Sequence, residues 1–284
     1  MNILVTGGAG FIGHHLVDRL ILERANVDVI DNFSTGKIDN RNPKAKYIDL
    51  DIREDLKSLE NNYDVIFHLA ALARIQPSFG NPYETVDINT MGTTNICRLA
   101  QKSNSKLIYA GSSSFYAGPH LSPYSFSKWQ GEEVCKMFSQ VYGLNVAIAR
   151  FFNVFGSGQP DSGAYATIVG IFEKQCMMRE ELTITGDGEQ RRDFTHVDDI
   201  VSGLIMMSKD KWNGEVFNLG TGTNYSINEL ASMYPSPKKY IPKRPGEART
   251  TLADISFSKD KLGYKPRNSL ELYVKNWLEE LQIK

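Results

Sequence analysis

Short apolar runs alternate with longer amphipathic stretches through the first half of the chain. The apolar runs predict strands, and several are apolar on both faces, which is typical of central parallel strands. The predicted strands span residues 2–5, 26–30, 46–48, 65–69, 106–110 and 145–149, and the predicted helices span residues 10–23, 54–59, 83–103 and 124–142. This alternation predicts a doubly wound α/β fold, in which helices cover both faces of a parallel sheet.

The pattern changes after Arg150. Glycine and proline clusters mark loops, and helices are predicted near residues 166–179 and 270–281. Four prolines between positions 235 and 245 predict that the tail is mostly loop. We therefore predict a main domain of residues 1–156 plus about 194–220, and a smaller lobe of residues 157–193 and 221–284. The lobe should cover the carboxyl edge of the sheet, where doubly wound folds bind ligands.

Composition narrows the class of protein. The chain has 284 residues and a formal net charge of −1, which argues against nucleic-acid binding. No apolar run approaches the roughly 20 residues that cross a bilayer, and the N-terminus shows no signal peptide. The cysteines at 97, 135 and 176 form no C-x-x-C pair, which argues against a disulfide framework and a zinc site. We expect a cytoplasmic protein that binds no metal, membrane or nucleic acid.

Glycines mark the turn from the first predicted strand into the first helix. Gly7, Gly10 and Gly13 would let the backbone approach a pyrophosphate at a helix N-terminus. Asp31, at the end of the second strand, could accept hydrogen bonds from ribose hydroxyls and would repel a 2′-phosphate, which favours NAD over NADP. Asp51 and the residue after it could hold the adenine. The alternatives are a tight turn without a ligand and a solvated Asp31 carboxylate.

Tyr124 and Lys128 lie four residues apart, on one face of a helix predicted to begin after Pro123. A nearby ammonium favours the phenolate form of a tyrosine, so the pair suits proton transfer to and from a hydroxyl group. Ser112, at the end of the preceding strand, could hydrogen-bond the same oxygen. An exposed helix face and a polar serine loop are the alternative interpretations.

Taken in order, these motifs resemble the extended short-chain dehydrogenase/reductases, and among them the UDP-galactose 4-epimerase-like enzymes. The resemblance runs nearly end to end, through residues 150–156, 186–188, 192–199, 218–220 and 253–256. It implies a Rossmann domain that binds NAD. The implied cofactor contacts are Gly7, Gly10, Phe11, Ile12 and Gly13 at the pyrophosphate, Asp31, Asn32 and Ser34 at the ribose, Asp51 and Ile52 at the adenine, and Leu69, Ala70, Ala71, Asn89 and Lys128 along the groove.

On the substrate side the resemblance implies contacts from Ser113, Asn153, Arg192, Arg244 and Glu247. Asn153 should face the sugar diphosphate, the two arginines should clamp it, and Glu247 should bind the ribose of the nucleotide. A guanidinium suits this role because it can bond phosphate oxygens as a fork. The alternative for Arg244 is a solvated surface charge.

The resemblance implies a nucleotide-sugar 4-epimerase, acting on a UDP-hexose or UDP-N-acetylhexosamine by transient oxidation at C4. Dehydratases of the family carry Thr-Asp-Glu where this chain has Ser112, Ser113 and Ser114, and the decarboxylases keep a glutamate there, so both reactions are disfavoured. A 4-keto-sugar reductase on the same scaffold is one alternative. A non-catalytic dinucleotide sensor is another.

Two further expectations follow from the resemblance. Thr251 aligns with a position that is often bulky in epimerases restricted to unmodified hexoses, so a small residue there would leave room for an N-acetyl group. Relatives commonly dimerise through two helices, which here would be residues 83–103 and 124–142. We therefore expect a homodimer with a four-helix interface.

Overall fold

Strands and helices alternate through the first half of the chain in the predicted order. The computed structural model describes residues 1–59 and 63–283. Its strands are β1 (Asn2–Thr6), β2 (Asn26–Asp31), β3 (Lys46–Asp49), β4 (Val65–His68), β5 (Lys106–Ser112), β6 (Val146–Phe151), β7 (Val154–Phe155), β8 (Leu182–Thr185), β9 (Arg191–Arg192), β10 (Thr195–His196), β11 (Asn213–Leu219), β12 (Tyr225–Ser226) and β13 (Lys238–Ile241). Its α-helices are α1 (Phe11–Leu22), α2 (Ile75–Gly80), α3 (Pro82–Val86), α4 (Thr93–Lys102), α5 (Ser114–Ala117), α6 (Pro123–Tyr142), α7 (Ile168–Met177), α8 (Val197–Met207), α9 (Ile227–Ala231), α10 (Ser256–Leu262) and α11 (Leu270–Ile283).

A seven-stranded sheet forms the centre of the molecule, in the order β11-β6-β5-β4-β1-β2-β3. Every neighbouring pair in it is parallel, which confirms the predicted doubly wound fold. The strand order reverses between β1 and β4, the place where such folds open a ligand crevice. The apolar pattern does not predict β11, because this strand begins with the polar Asn213 and shifts register before Glu215.

Helices bury both faces of this sheet. Successive side chains of a strand point to opposite faces, so Val5 of β1 joins one hydrophobic cluster and Leu4 joins the other. On the Val5 side, α1 and α8 contact each other and contribute Leu16 and Leu204. On the Leu4 side, α4 and α6 contact each other and contribute buried residues that include Phe138. A third cluster joins α7, β8, α9 and α11, and the elements around it are called the smaller lobe.

Three predicted segments differ in the structure. The helix predicted over residues 83–103 is divided into α3, a π-helical segment (Asp87–Gly92) and α4. This widening is held by a tertiary contact, since the Asn89 side-chain amide bonds the backbone of Leu72, and by a local one, since the Thr93 hydroxyl donates to the Asn89 carbonyl four residues earlier. The helix predicted over residues 54–59 is only a short 3-10 turn, Lys57–Leu59. The tail, predicted to be mostly loop, contains β13, α9 and α10, and β13 pairs with β8.

No helix in the described part of the chain is long and apolar enough to span a membrane. Cys97 on α4 and Cys135 on α6 are far apart in the sequence, but their sulfurs lie 3.8 Å apart between the two helices. Both are buried free thiols. Among the described residues, no group of three or more His, Cys, Asp or Glu side chains is arranged to hold a metal ion.

Candidate active site

A cavity of about 820 Å³ lies at the carboxyl ends of the central strands and is closed on its other side by the smaller lobe. Each of β1 to β6 ends at it, because the loops that leave these strands contribute to its lining. With the exception of Asn89, all the cofactor, catalytic and substrate residues named from the sequence line this cavity, as does Thr251. The structure therefore brings residues that are up to 244 positions apart (Gly7 and Thr251) into one site.

Asn89 lies behind the cavity wall. Its side chain is 1% exposed. The amide nitrogen donates to the Leu72 carbonyl and to Ser127 Oγ, and the amide oxygen accepts from the Leu72 amide. These bonds occupy its donors within the protein. The structure thus places Asn89 as a support for the segment after β4 rather than in the lining, where the resemblance implied it.

The glycine turn leaves the N-terminus of α1 open toward the cavity. Gly10 is the N-cap, and no side chain caps the helix with a hydrogen bond. The first turn of the helix contains no acidic residue. A Cβ on Gly7, where φ is +74°, would meet the Ala70 amide at 2.7 Å, and a Cβ on Gly13 would meet the Gly7 carbonyl oxygen at 2.1 Å. Only glycine fits these two positions. Free N–H groups at a dipole's positive end suit a pyrophosphate, so the residues fit the dinucleotide predicted for them.

Asp31 ends β2 and is 8% exposed, so the alternative of a solvated carboxylate is wrong. One carboxylate oxygen accepts from the Ala9 amide and the other from the Phe33 amide, both at 2.9 Å. Each oxygen has a second lone pair for a ribose hydroxyl. The side chain therefore holds the glycine turn against β2 and also faces the cavity.

Asp51 is fixed by its neighbours at the far end of the cavity. Arg53 forms a salt bridge with it at 2.8 Å and a second one with Asp87 at 3.0 Å, and the Asn32 amide donates to it at 3.0 Å. The Arg53 guanidinium holds the pKa of the Asp51 carboxyl below its usual value. A charged, fixed carboxylate next to Ile52 is compatible with the adenine role predicted for the pair.

Tyr124 and Ser112 meet at the carboxyl end of β5. The Tyr124 hydroxyl donates to Ser112 Oγ at 3.3 Å. Helix α6 begins here because the Ser122 side chain caps the Ser125 amide and Pro123 occupies the first turn. The Tyr124 amide, which has no partner within the helix, donates to Ser78 Oγ at 3.1 Å. The reactive side chain therefore starts from a helix end that is fixed at two points.

Lys128 lies one turn further along α6, 5% exposed, with Nζ 4.4 Å from the centre of the Tyr109 ring. Burial lowers the pKa of Lys128 to about 8, and the negative charge of Glu132 opposes this. Burial raises the pKa of Tyr124, while the Ser112 hydrogen bond and the positive charge of Arg74 lower it. That Lys128 acts on Tyr124 stays a prediction, and Arg74 is a further cation whose charge lowers the pKa of Tyr124.

Glu132 and Arg150 form a buried ion pair behind Ser112. Glu132 is on α6 and Arg150 on β6, and their side chains are 1% and 6% exposed. The guanidinium bonds both carboxylate oxygens, with its shortest contact at 2.6 Å, and its face lies 3.6 Å from the centre of the Phe115 ring. A Cβ on Gly111 would come within 2.8 Å of the Glu132 carboxylate, so the pair leaves room for glycine only. The pair ties α6 to the sheet near Tyr124 and Ser112.

The smaller lobe supplies charges to the opposite end of the cavity. Arg192 is half-buried, and burial lowers its pKa while Glu247 opposes this. Arg244 is exposed to solvent, as a surface charge would be, but it also lines the cavity, where a diphosphate-binding residue would lie. Thr251 Oγ1, a buried hydroxyl in this part of the lining, has no hydrogen-bond partner among the described residues. This end is therefore cationic and polar, as a diphosphate site requires.

Sequence reasoning missed several lining residues. Arg74, Tyr165 and Thr167 lie in the cavity wall, and Ser78 holds the start of α6. Thr167 could be recognised as a helix cap, since it precedes α7 and accepts from the Gly170 amide. Arg74 follows an apolar segment and belongs to no motif, so nothing in the sequence singles it out.

Comparison with known proteins identifies the family. Residues 3–220 match the model of the NAD dependent epimerase/dehydratase family. The chain belongs to this family. Membership confirms the resemblance to extended short-chain dehydrogenase/reductases and confirms NAD as the cofactor of the group to which the chain belongs.

Individual relatives span the whole chain. A Methanocaldococcus jannaschii protein provisionally named a UDP-glucose 4-epimerase is 36% identical, over 98% of both chains. The crystal structure of a Thermotoga maritima UDP-glucose 4-epimerase with UDP-glucose superimposes with a TM-score of 0.93, at 34% identity over 100% of this chain and 99% of that one. A Bacillus cytotoxicus UDP-N-acetyl-α-D-glucosaminuronate decarboxylase is 30% identical over 98% of both chains. The family thus includes UDP-sugar enzymes with more than one reaction.

Proposed function

We propose that this protein is an NAD-dependent 4-epimerase of UDP-linked hexoses or N-acetylhexosamines. One observation carries the proposal: Tyr124 donates to Ser112 in the same cavity that the glycine turn, Asp31 and Lys128 line. A proton-transferring tyrosine is thereby held next to a dinucleotide site. The similarity to UDP-sugar 4-epimerases over nearly the full length of the chain supports it.

The residues at this site suit reversible proton transfer at a sugar hydroxyl. The glycine turn and Asp31 would hold NAD, which would supply a reversible hydride acceptor for the sugar carbon. Tyr124, in its phenolate form, takes the proton of the 4-hydroxyl and later gives it back. Ser112 holds the oxygen of Tyr124 at 3.3 Å and orients it. Lys128, buried and positively charged below a pKa of about 8, contributes positive charge to the same face of α6.

The acidic side chains of the cavity argue against dehydration and decarboxylation. Among the described lining residues, the carboxylates are Asp31, Asp51 and Glu247. The first two lie at the ends of β2 and β3, and Glu247 lies beside Arg192 in the smaller lobe. The strand end that holds the reactive tyrosine has serines at 112–114 instead. The site therefore lacks an acid placed to expel the 6-hydroxyl of a sugar, which favours epimerisation.

The proposal is tested by incubating the purified protein with UDP-glucose, UDP-N-acetylglucosamine, UDP-glucuronate and their C4 epimers, and following the sugars by NMR. We expect C4 interconversion without net change in NADH absorbance. Tyr124→Phe should abolish it, whereas Tyr83→Phe, at a side chain 81% exposed, should not. Loss of carbon dioxide from UDP-glucuronate, or net NADH consumption with a 4-keto sugar, would replace the epimerase with a decarboxylase or a reductase. Binding of NAD without any turnover would leave the sensor alternative.

We also propose that the protein is a homodimer formed through α4 and α6 and the segment between α3 and α4. Of the apolar side chains in these segments, Ile96, Leu99 and Phe138 are buried in the core, while Met91, Met137 and Val141 are 53%, 39% and 64% exposed. These exposed side chains lie on helices that contact one another, so they can form one apolar surface. Sedimentation should show a dimer that Met137→Glu weakens, and a monomeric parent protein would contradict the proposal.

A cytoplasmic location is the proposal that best fits the cysteines. The chain has three cysteines, an odd number, and they are widely spaced in the sequence. This pattern argues against a disulfide framework and fits a reducing compartment. Fractionation of cells that express the tagged protein tests the proposal.

A further inference from the structure

Tyr109 lies on β5, behind the cavity wall. The three residues that follow it in the chain, 110–112, line the cavity, whereas Tyr109 does not and is 1% exposed. Burial raises the pKa of its hydroxyl well above the ordinary value, so the side chain is a neutral ring. It belongs to the hydrophobic cluster on the α4 and α6 side of the sheet. Any effect of Tyr109 on the chemistry of the cavity must therefore pass through a neighbouring side chain.

Tyr109 contacts both the backbone and the ammonium of one lysine. Its hydroxyl donates to the Lys128 carbonyl at 3.3 Å, and the centre of its ring lies 4.4 Å from Lys128 Nζ. A Cβ on Gly131 would come within 2.2 Å of the Tyr109 hydroxyl oxygen, so glycine at this position of α6 lets the ring approach the helix. Glycine inside a helix is destabilising, and the close approach of the ring explains its presence here.

The ammonium of Lys128 has no anionic partner in the described part of the chain. The lysines there that pair with a carboxylate do not include Lys128, which is 5% exposed. The acid one turn further along α6, Glu132, bonds Arg150 through both of its carboxylate oxygens. A buried cation without an anion is costly. The face of an aromatic ring carries negative charge density and attracts a cation, most strongly where water is excluded.

The ionisable groups around Lys128 come from three elements. Burial lowers the pKa of Lys128 to about 8, and Glu132 and Cys135, also on α6, oppose this. Tyr124 lies one turn earlier on the same helix. Burial lowers the pKa of His68, on β4, to about 3, and the charge of Lys128 adds to this, so the imidazole is neutral. Among these groups, the tyrosine of β5 is the one whose ring face lies against the ammonium.

We propose that Tyr109 is a positioning residue whose ring face holds the Lys128 ammonium in its charged form at the cavity wall. The inference rests on the proposed function for its purpose, because the proton transfer of Tyr124 uses positive charge on the same face of α6. The ring contact itself exists without turnover. Tyr109 neither gains nor loses a proton: its ring supplies negative charge density, and its hydroxyl fixes the ring against the helix.

A direct titration of Lys128 tests the proposal without any sugar substrate. The protein is labelled with ¹³C at lysine Cε, NAD is present throughout, and Lys128→Met assigns the resonance of Lys128. Tyr109→Leu should lower the pKa of Lys128 by about one unit, whereas Tyr109→Phe, which keeps the ring, should lower it far less. Phe67→Leu is the matched control, because Phe67 is a fully buried ring on the neighbouring strand β4 that packs on the other face of the sheet. It should leave the pKa of Lys128 unchanged.

Fluorinated rings keep the test informative if Tyr109→Leu does not fold. Fluorine withdraws electron density from the ring face and changes the shape of the side chain little. Starting from Tyr109→Phe, phenylalanine analogues with increasing numbers of fluorine atoms are incorporated at this position. The pKa of Lys128 should fall stepwise along the series, while circular dichroism shows an unchanged fold.

Kinetics then connect the ring contact to turnover. If the proposed epimerase activity holds, the alkaline limb of the kcat profile of Tyr109→Leu should move about one unit toward neutral pH, while Tyr109→Phe follows the parent profile. If the Lys128 pKa moves as expected but the parent protein epimerises no sugar, the ring contact stands and the proposed function fails.

Three results would overturn the proposal. The first is a Lys128 pKa in Tyr109→Leu that equals that of the parent protein. The second is an equal shift in Tyr109→Phe, since the hydroxyl rather than the ring would then be responsible. The third is the absence of any trend along the fluorinated series, which would assign the effect of Tyr109→Leu to lost packing.

Discussion

Neutralising Glu132 should destabilise the protein more than any surface change of the same chemistry. Glu132→Gln keeps the shape of the side chain but removes the negative charge from the buried pair with Arg150. The Arg150 guanidinium would then remain buried between β6 and α6, with weaker hydrogen bonds and without a counter-charge. The unfolded chain, in which both groups are hydrated, is barely affected.

The structure sets the size of the effect. Breaking a buried pair by removing one partner costs about 3–5 kcal/mol, and this pair qualifies because its side chains are 1% and 6% exposed and its contact is 2.6 Å. In a domain of this size class, each kcal/mol lowers Tm by roughly 2–4 °C, so a decrease on the order of 10 °C is expected. By contrast, Arg19 and Glu23 form an i, i+4 pair at 2.8 Å that is 57% and 43% exposed. Glu23→Gln should cost no more than about 0.5 kcal/mol.

Urea unfolding followed by circular dichroism measures both variants against the parent protein. A double variant, Glu132→Met with Arg150→Met, separates the lost charge from lost packing, since replacing both partners by apolar side chains should recover much of the stability. If Glu132→Gln is no less stable than Glu23→Gln, Glu132 and Arg150 do not form a buried ion pair that stabilises the fold. If the double variant is as unstable as Glu132→Gln, packing rather than an uncompensated charge accounts for the loss.

Three further predictions concern separate parts of the molecule. Burial raises the pKa of Glu173 from 4.5 to about 7. The folded state therefore holds this proton more tightly than the unfolded chain does, and the free energy of unfolding decreases as pH rises from about 4.5 to 7. Glu173→Gln should therefore gain stability over the parent protein across this window, by up to about 3 kcal/mol in urea unfolding, and a constant difference would contradict the assignment. Thr251→Tyr should reduce kcat/KM for N-acetylated UDP-sugars at least about tenfold more than for UDP-glucose, and equal losses would refute the alignment. Gly13→Ala should prevent stable folding or NAD binding, measured by fluorescence of bound NADH, because its Cβ would lie 2.1 Å from the Gly7 carbonyl oxygen, and normal binding would exclude that close approach.

The central sheet could be predicted from the sequence because its strands are buried on both faces. Apolar runs such as residues 65–68 have no other stable position than between two helical layers, and their spacing along the chain leaves few topologies. The seventh strand could not be predicted in the same way. This strand lies at the edge of the sheet and begins with Asn213, Gly214 and Glu215, where its register shifts. In sequence, these three residues resemble a loop.

The π-helical segment shows why local pattern was insufficient at residues 83–103. The apolar periodicity there is that of one helix. The inserted turn is stabilised by Asn89, whose amide bonds Leu72 from another part of the chain, and by Gly92, where a Cβ would lie 2.5 Å from the Ile52 side chain. Both contacts are tertiary, so a reading of consecutive residues does not contain them.

Tyr124 shows the same difference between what the local sequence pattern predicts and what tertiary contacts determine. The spacing between Tyr124 and Lys128 identifies the pair, because residues four positions apart lie on the same face of a helix. Its protonation, however, depends on groups that the chain brings in from elsewhere: Ser112 from β5 through a 3.3 Å hydrogen bond, and Arg74 from the loop before α2 through its charge. A motif records which residues can react, whereas the folded environment decides in which form they do so. For this reason the Tyr-x-x-x-Lys spacing alone does not determine the pH at which such a tyrosine titrates.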